Sequence, residues 1–266
     1  MKGYMRFAIV LVLAGASAFG QSKQERGKQV IAAAVDALGG PHFRAMRNRV
    51  ESGRAYSFYN ERISGLSIAT IYVEYVQPSA PGELHLRERQ SFGEKEKSGA
   101  VLLTGDTGYQ ITFRGARPLP RETLDRFKDT TFHNVLYILK ERLEEPGLIF
   151  EYQGSETVDN MPADQVDITD ADNRVVTVFF DHLTRLPLRQ VYYHRDPATG
   201  DRNEEVTIFA KFRDVGGGVM WPFDVQRSRN GERTYQMYAD SVEINQNLPG
   251  KLFVLPQGVP ILKPDK

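Results

Sequence analysis

SIATIYVEYVQ, residues 67 to 77, places Ala69, Ile71, Val73 and Tyr75 on one face of an extended chain and Thr70, Tyr72, Glu74 and Val76 on the other. Both faces are largely apolar or aromatic. An antiparallel sheet with one wet face alternates more cleanly, so this strand is expected to be covered on both sides or to line a cavity.

Working outward, the same period of two recurs from about Asn48 to Gly115. VESGRAYSFY (50–59), ELHLRERQS (83–91), GAVLLTGD (99–106) and GYQITFRG (108–115) are each bounded by Gly, Pro, Asn or Asp. These read with the first stretch as five strands of an antiparallel meander. Pro120 suits the first position of a helix, and residues 121 to 147 read as one helix, or as two short ones broken near Asp129 to Thr131. Phe132, Leu136, Leu139 and Leu143 form its stripe, and Pro146 and Gly147 stop it.

Strands then resume, seven of them, from LIFEYQGSE (148–156) to TYQMYADSVEI (234–244). Turn signals at Asp172 and Asn173, at Ala198 to Asp201, at Gly216 to Gly218 and at Asn230 and Gly231 separate them. Upstream of the first strand, Ser22 and Glu25 form an S-x-x-E capping box, and Val30, Ile31, Ala34, Val35 and Leu38 recur at helical spacing before Gly39, Gly40 and Pro41. The predicted class is α+β: one domain with a strongly curved antiparallel sheet of about 11–12 strands, an open half-barrel, with helices covering the concave side.

Residues 1–20 carry Lys2 and Arg6, an apolar run from Phe7 to Ala14, then the small residues AGASAFG. This is the layout of a secretory signal peptide, with cleavage expected after Ala18 or Gly20, and the run is too short to span a bilayer. The expected organisation is therefore a signal peptide at 1–20 and one mature domain at 21–266, exported to the periplasm. The absence of cysteine fits an envelope protein that relies on a packed core rather than on bridges. Lys and Arg number 34 and Asp and Glu 34; without Lys2 and Arg6 the mature chain keeps 32 basic against 34 acidic residues. That balance argues against a nucleic-acid partner, which calls for concentrated basic residues.

The motifs of catalysis and metal binding are missing. His42, His85, His133, His182 and His194 are scattered without the spacing of a zinc site. DITDADNR (167–174) lacks the register and distal Glu of a calcium loop and reads as a hairpin turn. Gly216 to Gly218 lacks the strand-to-helix context of a phosphate cradle, and no G-x-S-x-G is present. No enzyme activity, cofactor or metal is expected. An exported hydrolase would need a cleft where two carboxylates, or a His and a carboxylate, converge. The remaining signal is aromatic: adjacent pairs such as Phe179–Phe180 and Tyr192–Tyr193 must point to opposite faces.

Four segments carry a family resemblance: YVQPSAPGELHLR (75–87), LLTGDTGYQITFRGARPLP (102–120), DHLTRLPLRQVYY (181–193) and VEINQNLPGKLFVLPQGVPI (242–261). In order they match a strand, proline-turn, strand bend; a hairpin with a departing lid; a second hairpin; and an ending with a Phe-x-x-Pro segment. Together they resemble the LolA-like family of periplasmic lipoprotein and lipid carriers. The resemblance spans nearly the whole mature chain and implies a half-barrel with helices as a lid, whose concave apolar cavity holds the acyl part of a lipid or lipoprotein. Candidate lining residues are Ile71, Val73, Tyr75, Leu102, Phe179, Tyr192, Phe209, Trp221 and Met237. The lipoprotein chaperones of that family have an arginine before the proline of the first bend, implicated in cavity closure and release; Gln77 stands there in this chain. Partners implied are a lipid or acylated lipoprotein, transient or peripheral membrane contact, and an envelope protein if the fold serves docking without cargo. The C-terminal Phe253 and Leu255 are expected to plug one edge or end of the half-barrel, with Pro256 keeping that segment from adding a strand.

Overall fold

The computed structural model describes residues 21–78, 82–96, 98–196 and 199–264; the expected signal peptide and Ala198 of one predicted turn lie outside them. The chain opens with helix α1 (Lys23–Ala37), whose N-terminus carries the predicted capping box. Ser22 Oγ accepts from the Glu25 amide at 3.1 Å, and Glu25 Oε2 accepts from the Ser22 amide at 2.9 Å. Two amides that the first turn leaves without partners are thereby paired, which is worth about 1 kcal/mol. A short helix α2 (Gly40–Arg44) follows and buries Phe43.

Thirteen antiparallel strands form one sheet. The first group is β1 (Asn48–Tyr59), β2 (Arg62–Tyr75), β3 (Leu86–Phe92), β4 (Gly99–Thr104), β5 (Thr107–Thr112) and β6 (Gly115–Pro118). The second is β7 (Ile149–Val158), β8 (Met161–Thr169), β9 (Val175–Asp181), β10 (Pro187–Arg195), β11 (Arg202–Asp214), β12 (Met220–Arg229) and β13 (Glu232–Ile244). Each group is a meander, and the two join where β1 pairs with β13, so that β6 and β7 are the outer edges. Register shifts at Ser52/Gly53, Ser57/Phe58, Tyr152/Gly154, Pro187/Arg189 and Arg227/Ser228 add the local bends that a curved sheet needs. The strand beyond the expected twelve is β6, four residues long.

The chain crosses from one edge to the other through α3 (Arg121–Phe132) and α4 (Val135–Tyr137), which continues as a π-helical turn, Ile138–Arg142. The break falls at His133 and Asn134 rather than at 129–131, because Asn134 starts a new helix: its side-chain oxygen accepts from the amides of Leu136 (2.9 Å) and Tyr137 (3.3 Å). Helix α1 lies on β7 and β8, with Val30, Ile31, Ala34 and Leu38 in the main core beside Phe150, Val166, Ile168, Val178 and Phe180. The approach is close at Gly27, where a Cβ would stand 2.5 Å from the Phe150 carbonyl oxygen. Any larger residue there would push the helix off the strand.

The C-terminal segment after β13 turns through a 3₁₀ helix, Gly250–Phe253, and runs along the face of β3 and β4 opposite the helices. Phe253 is buried beneath the Arg87 guanidinium, 4.7 Å from its ring, and Leu255 and Val259 pack on Ala100, Leu102 and Ile111. Beyond Pro260 the segment does meet an edge: Ala116 donates to the Pro260 carbonyl at 2.9 Å and Leu262 donates to the Ala116 carbonyl at 2.8 Å, one parallel bridge at Ile261.

Candidate ligand cavity

Between the concave face of the sheet and α3 lies a cavity of about 500 Å³. That is within the ~300–1,000 Å³ typical of small-molecule sites. Its roof is a single helical stripe: Thr123, Arg126, Phe127, Thr130 and Thr131 recur at three- and four-residue spacing on α3 and border the cavity, followed by Asn134, Leu136 and Tyr137. Seven of the candidate residues line it, namely Ile71, Val73, Tyr75, Tyr192, Phe209, Trp221 and Met237.

Leu102 and Phe179 do not. Leu102 pairs with Arg89, on the face of the sheet away from α3, where the C-terminal segment covers it. Phe179 packs on that outer face with Val158, Ala163 and Val191, the Arg189 guanidinium 4.5 Å above its ring; its neighbour Phe180 takes the inner face and joins the main core. Gln77, at the position of the family's arginine, is exposed and not part of the lining.

The roof is fastened at its C-terminal half. The His133 ring stacks on Tyr192, Thr130 Oγ1 is 3.2 Å from the Tyr192 hydroxyl, and the Val135 amide donates to Gln190 Oε1 at 2.9 Å. Tyr137 Oη accepts from the His85 amide at 2.8 Å, and Lys140 Nζ sits 3.9 Å above the Tyr75 ring. Arg142, almost fully buried, donates to Asp170 Oδ2 at 2.8 Å and to Glu145 at 2.5 and 3.0 Å. Asp170 also accepts from the Asp172 and Arg174 amides, which makes residues 170–174 a charged hairpin turn that anchors the roof. The first half of α3, in contrast, exposes Arg121, Glu122, Thr123, Asp125 and Arg126 and buries only part of Leu124 and Phe127.

Sequence reasoning missed the polar side of the floor. Arg49, Glu51, Glu88, Gln90, Glu205, Thr207, Arg227, Arg229 and Tyr235 face the same cavity as the apolar wall. Most are paired: Arg49 with Glu51, Arg229 Nε with Glu205 at 2.5 Å, Glu88 with Gln90 Nε2 at 2.6 Å. Burial pushes the Glu88 carboxyl above its ordinary value, and the Tyr75 and Tyr235 phenols up to about 12 each. The signal was present in ELHLRERQS, where Leu84, Leu86, Glu88 and Gln90 share one parity, so that an apolar inner face continues into charge.

His182 and Asp164, with Nδ1 and Oδ2 3.2 Å apart, form a pair at a surface turn outside the cavity, and Asp164 is also held by Arg185, Tyr152 and Ser155. Among the described residues, no three His, Asp or Glu side chains are grouped to hold a metal ion, and no helix is long and apolar enough to cross a membrane.

Solved structures share this architecture. A domain described as an outer membrane lipoprotein-sorting protein from Vibrio parahaemolyticus superposes with a TM-score of 0.57 at 9% identity, over 86% of this chain and 97% of that one. A LolA superfamily protein from Nitrosomonas europaea superposes with a TM-score of 0.51 at 13% identity, over 86% and 97% of the two chains. The fold is LolA-like. A DUF1329 family protein from Desulfovibrio piger also has it, with a TM-score of 0.58 at 11% identity over 88% and 98%. No protein-family model matches the sequence, and no curated protein matches it. The LolA-like fold therefore rests on the course of the chain: one curved, open antiparallel sheet with its helical crossing on the concave side.

Proposed function

We propose that this chain is an exported, non-enzymatic carrier that holds the acyl part of a lipid or acylated lipoprotein between α3 and the sheet. The observation that carries the reading is the cavity of about 500 Å³ on a LolA-like half-barrel, walled by Ile71, Val73, Phe209, Trp221, Val225 and Met237. Transfer of an acyl chain from water releases about 0.8 kcal/mol per CH₂, on the order of 12 kcal/mol for a sixteen-carbon chain before ordering costs. Shape and an apolar wall therefore suffice for retention. The N-terminal segment of residues 1–20 supports export, and an envelope location follows from export.

The alternative, an envelope module that docks a protein and carries no lipid, calls for helices packed directly on the sheet. The open space beneath α3 favours the carrier. Native mass spectrometry of the mature chain, purified from a periplasm without detergent, decides between them. A stoichiometric acyl-bearing adduct is expected; a clean unliganded mass that survives incubation with lipids and an acylated peptide would turn the reading to docking.

A further inference from the structure

The carrier reading leaves one feature of the cavity unused. Of the four arginines that line it, three have carboxylate partners: Arg49 with Glu51, Arg126 with Glu122 at 2.6 Å, and Arg229 with Glu205 at 2.5 Å. Arg227 has none. Its Nε is buried without a hydrogen-bond partner among the described residues, and its guanidinium faces the Tyr235 ring at 5.5 Å. Arg49, stacked 4.4 Å from Trp221, likewise keeps its Nε buried and unpartnered despite its ion pair. A buried donor without an acceptor costs about 1–3 kcal/mol, more when charged. Both donors line the space that also contains the apolar wall.

We propose that the cavity takes an amphiphile with a single anionic head, the chain lying against Phe209, Val225 and Met237 and the head accepting hydrogen bonds from Arg227 and from Nε of Arg49. Strand pairing supports the layout. Phe209, Val225 and Met237 form one cross-strand row, and Thr207, Arg227 and Tyr235 form the next inward-facing row along the same strands. Apolar wall and cation are thus adjacent, as chain and head are in a fatty acid or a lysophosphatidate. The shared chemistry is a carboxylate or phosphate joined to one acyl chain.

This inference rests on the carrier reading, and binding to the mature protein separates the two. Laurate, dodecyl phosphate and the uncharged dodecanol are titrated by isothermal calorimetry below their aggregation concentrations. Both anions are expected to bind at least about tenfold more tightly than dodecanol. Laurate above dodecyl phosphate points to free fatty acids, and the reverse order to phospholipid-derived heads. Arg227→Gln should abolish the preference by bringing the affinity of both anions down to that of dodecanol in the same variant, with circular dichroism as the check on folding. Equal binding of anions and alcohol to the native chain overturns the head assignment and leaves the carrier standing, whatever the variant does. No binding of any of the three overturns both.

Discussion

The imidazole of His133 lies flat against the ring of Tyr192, with centroids 4.2 Å apart and planes 8° from parallel. This stack joins the break between α3 and α4 to β10. His133 Nδ1 is 2.8 Å from the Asp129 carbonyl oxygen, which can only accept, so that nitrogen carries the proton. Burial holds the imidazole below its ordinary value of 6.5, against the opposing pull of Asp129. A depressed value in the folded state means that the unfolded chain takes up the proton first. The contribution of His133 is complete above pH 6.5 and is lost as pH falls from there through the folded-state value. Thermal unfolding should show a stability decline below pH 6.5 that His133→Phe, which keeps a stacked ring, reduces. An unchanged decline in that variant would assign it elsewhere.

Arg142 and Asp170 pin the far end of the roof, with side chains 2% and 4% exposed. Removing one partner strands a buried charge, at a cost of about 3–5 kcal/mol. Arg142→Ala should lower Tm by roughly 6–20 °C for a domain of this size. Burial alone would raise the Asp170 carboxyl, but hydrogen bonds from Arg142 and Arg174 outweigh it and hold the group below its usual value. That stability is present above the unfolded value of 3.8 and is lost as pH falls through the depressed one. A fall in Tm of less than 2 °C would show that the roof is held by its other contacts.

Trp221 is the only tryptophan of the chain, and it lines the cavity. Its emission is a direct reporter of occupancy. Addition of laurate to the protein should shift or quench that emission along a saturable curve. Binding detected by calorimetry without any change in emission would place the ligand outside this cavity.

Phe127 is the one aromatic side chain of the α3 stripe, half-buried over the cavity. Because it lies outside the main core and packs only at the margin of the small cluster of Val73, Leu84, Leu86, Phe132 and Tyr137, Phe127→Asp should leave the fold intact, with circular dichroism as the check. The lost burial, about 1.5–3 kcal/mol, translates into acyl affinity weaker by roughly 10- to 150-fold. Unaltered affinity, measured by calorimetry, would count against α3 as the roof of the binding site.

Glu88 faces Arg49 and Arg227, with Glu51, Gln90, Tyr75 and Tyr235 around it in the same cavity. Burial raises its carboxyl above 4.5. Below that raised value Glu88 is neutral and leaves the arginines to a ligand; above it, ionised Glu88 competes for them. Affinity for dodecyl sulfonate, whose charge does not titrate, should fall as pH rises through this range, and Glu88→Gln should flatten the profile. A flat profile in the native protein would remove Glu88 from the site.

The alternation in residues 67–77 and its repeats made twelve strands legible, because long strands packed on both faces display their period. β6 escaped: Gly115, Ala116, Arg117 and Pro118 are too few to show alternation, and the strand exists because β5 on one side and Ile261 on the other pair with it. The placement of Leu102 and Phe179 was not legible, since period two divides a strand into two faces without saying which is concave. The charged floor was hidden for another reason. Glu and Arg on strands read as solvent-facing, and only the curvature that closes β3 toward β12 turns Glu88 and Arg227 into one interior.

Residues 119–148 are the sole covalent link between the sheet's two outer strands, and they lie inside the bend, as a chord lies inside an arc. A chord of set length limits how far an arc can flatten. The twelve residues of α3 span about 18 Å at 1.5 Å each and cannot stretch without unwinding. The bore of this half-barrel is therefore gauged by a helix: one added turn would widen it by up to about 5 Å, and one deleted turn would draw the edges together.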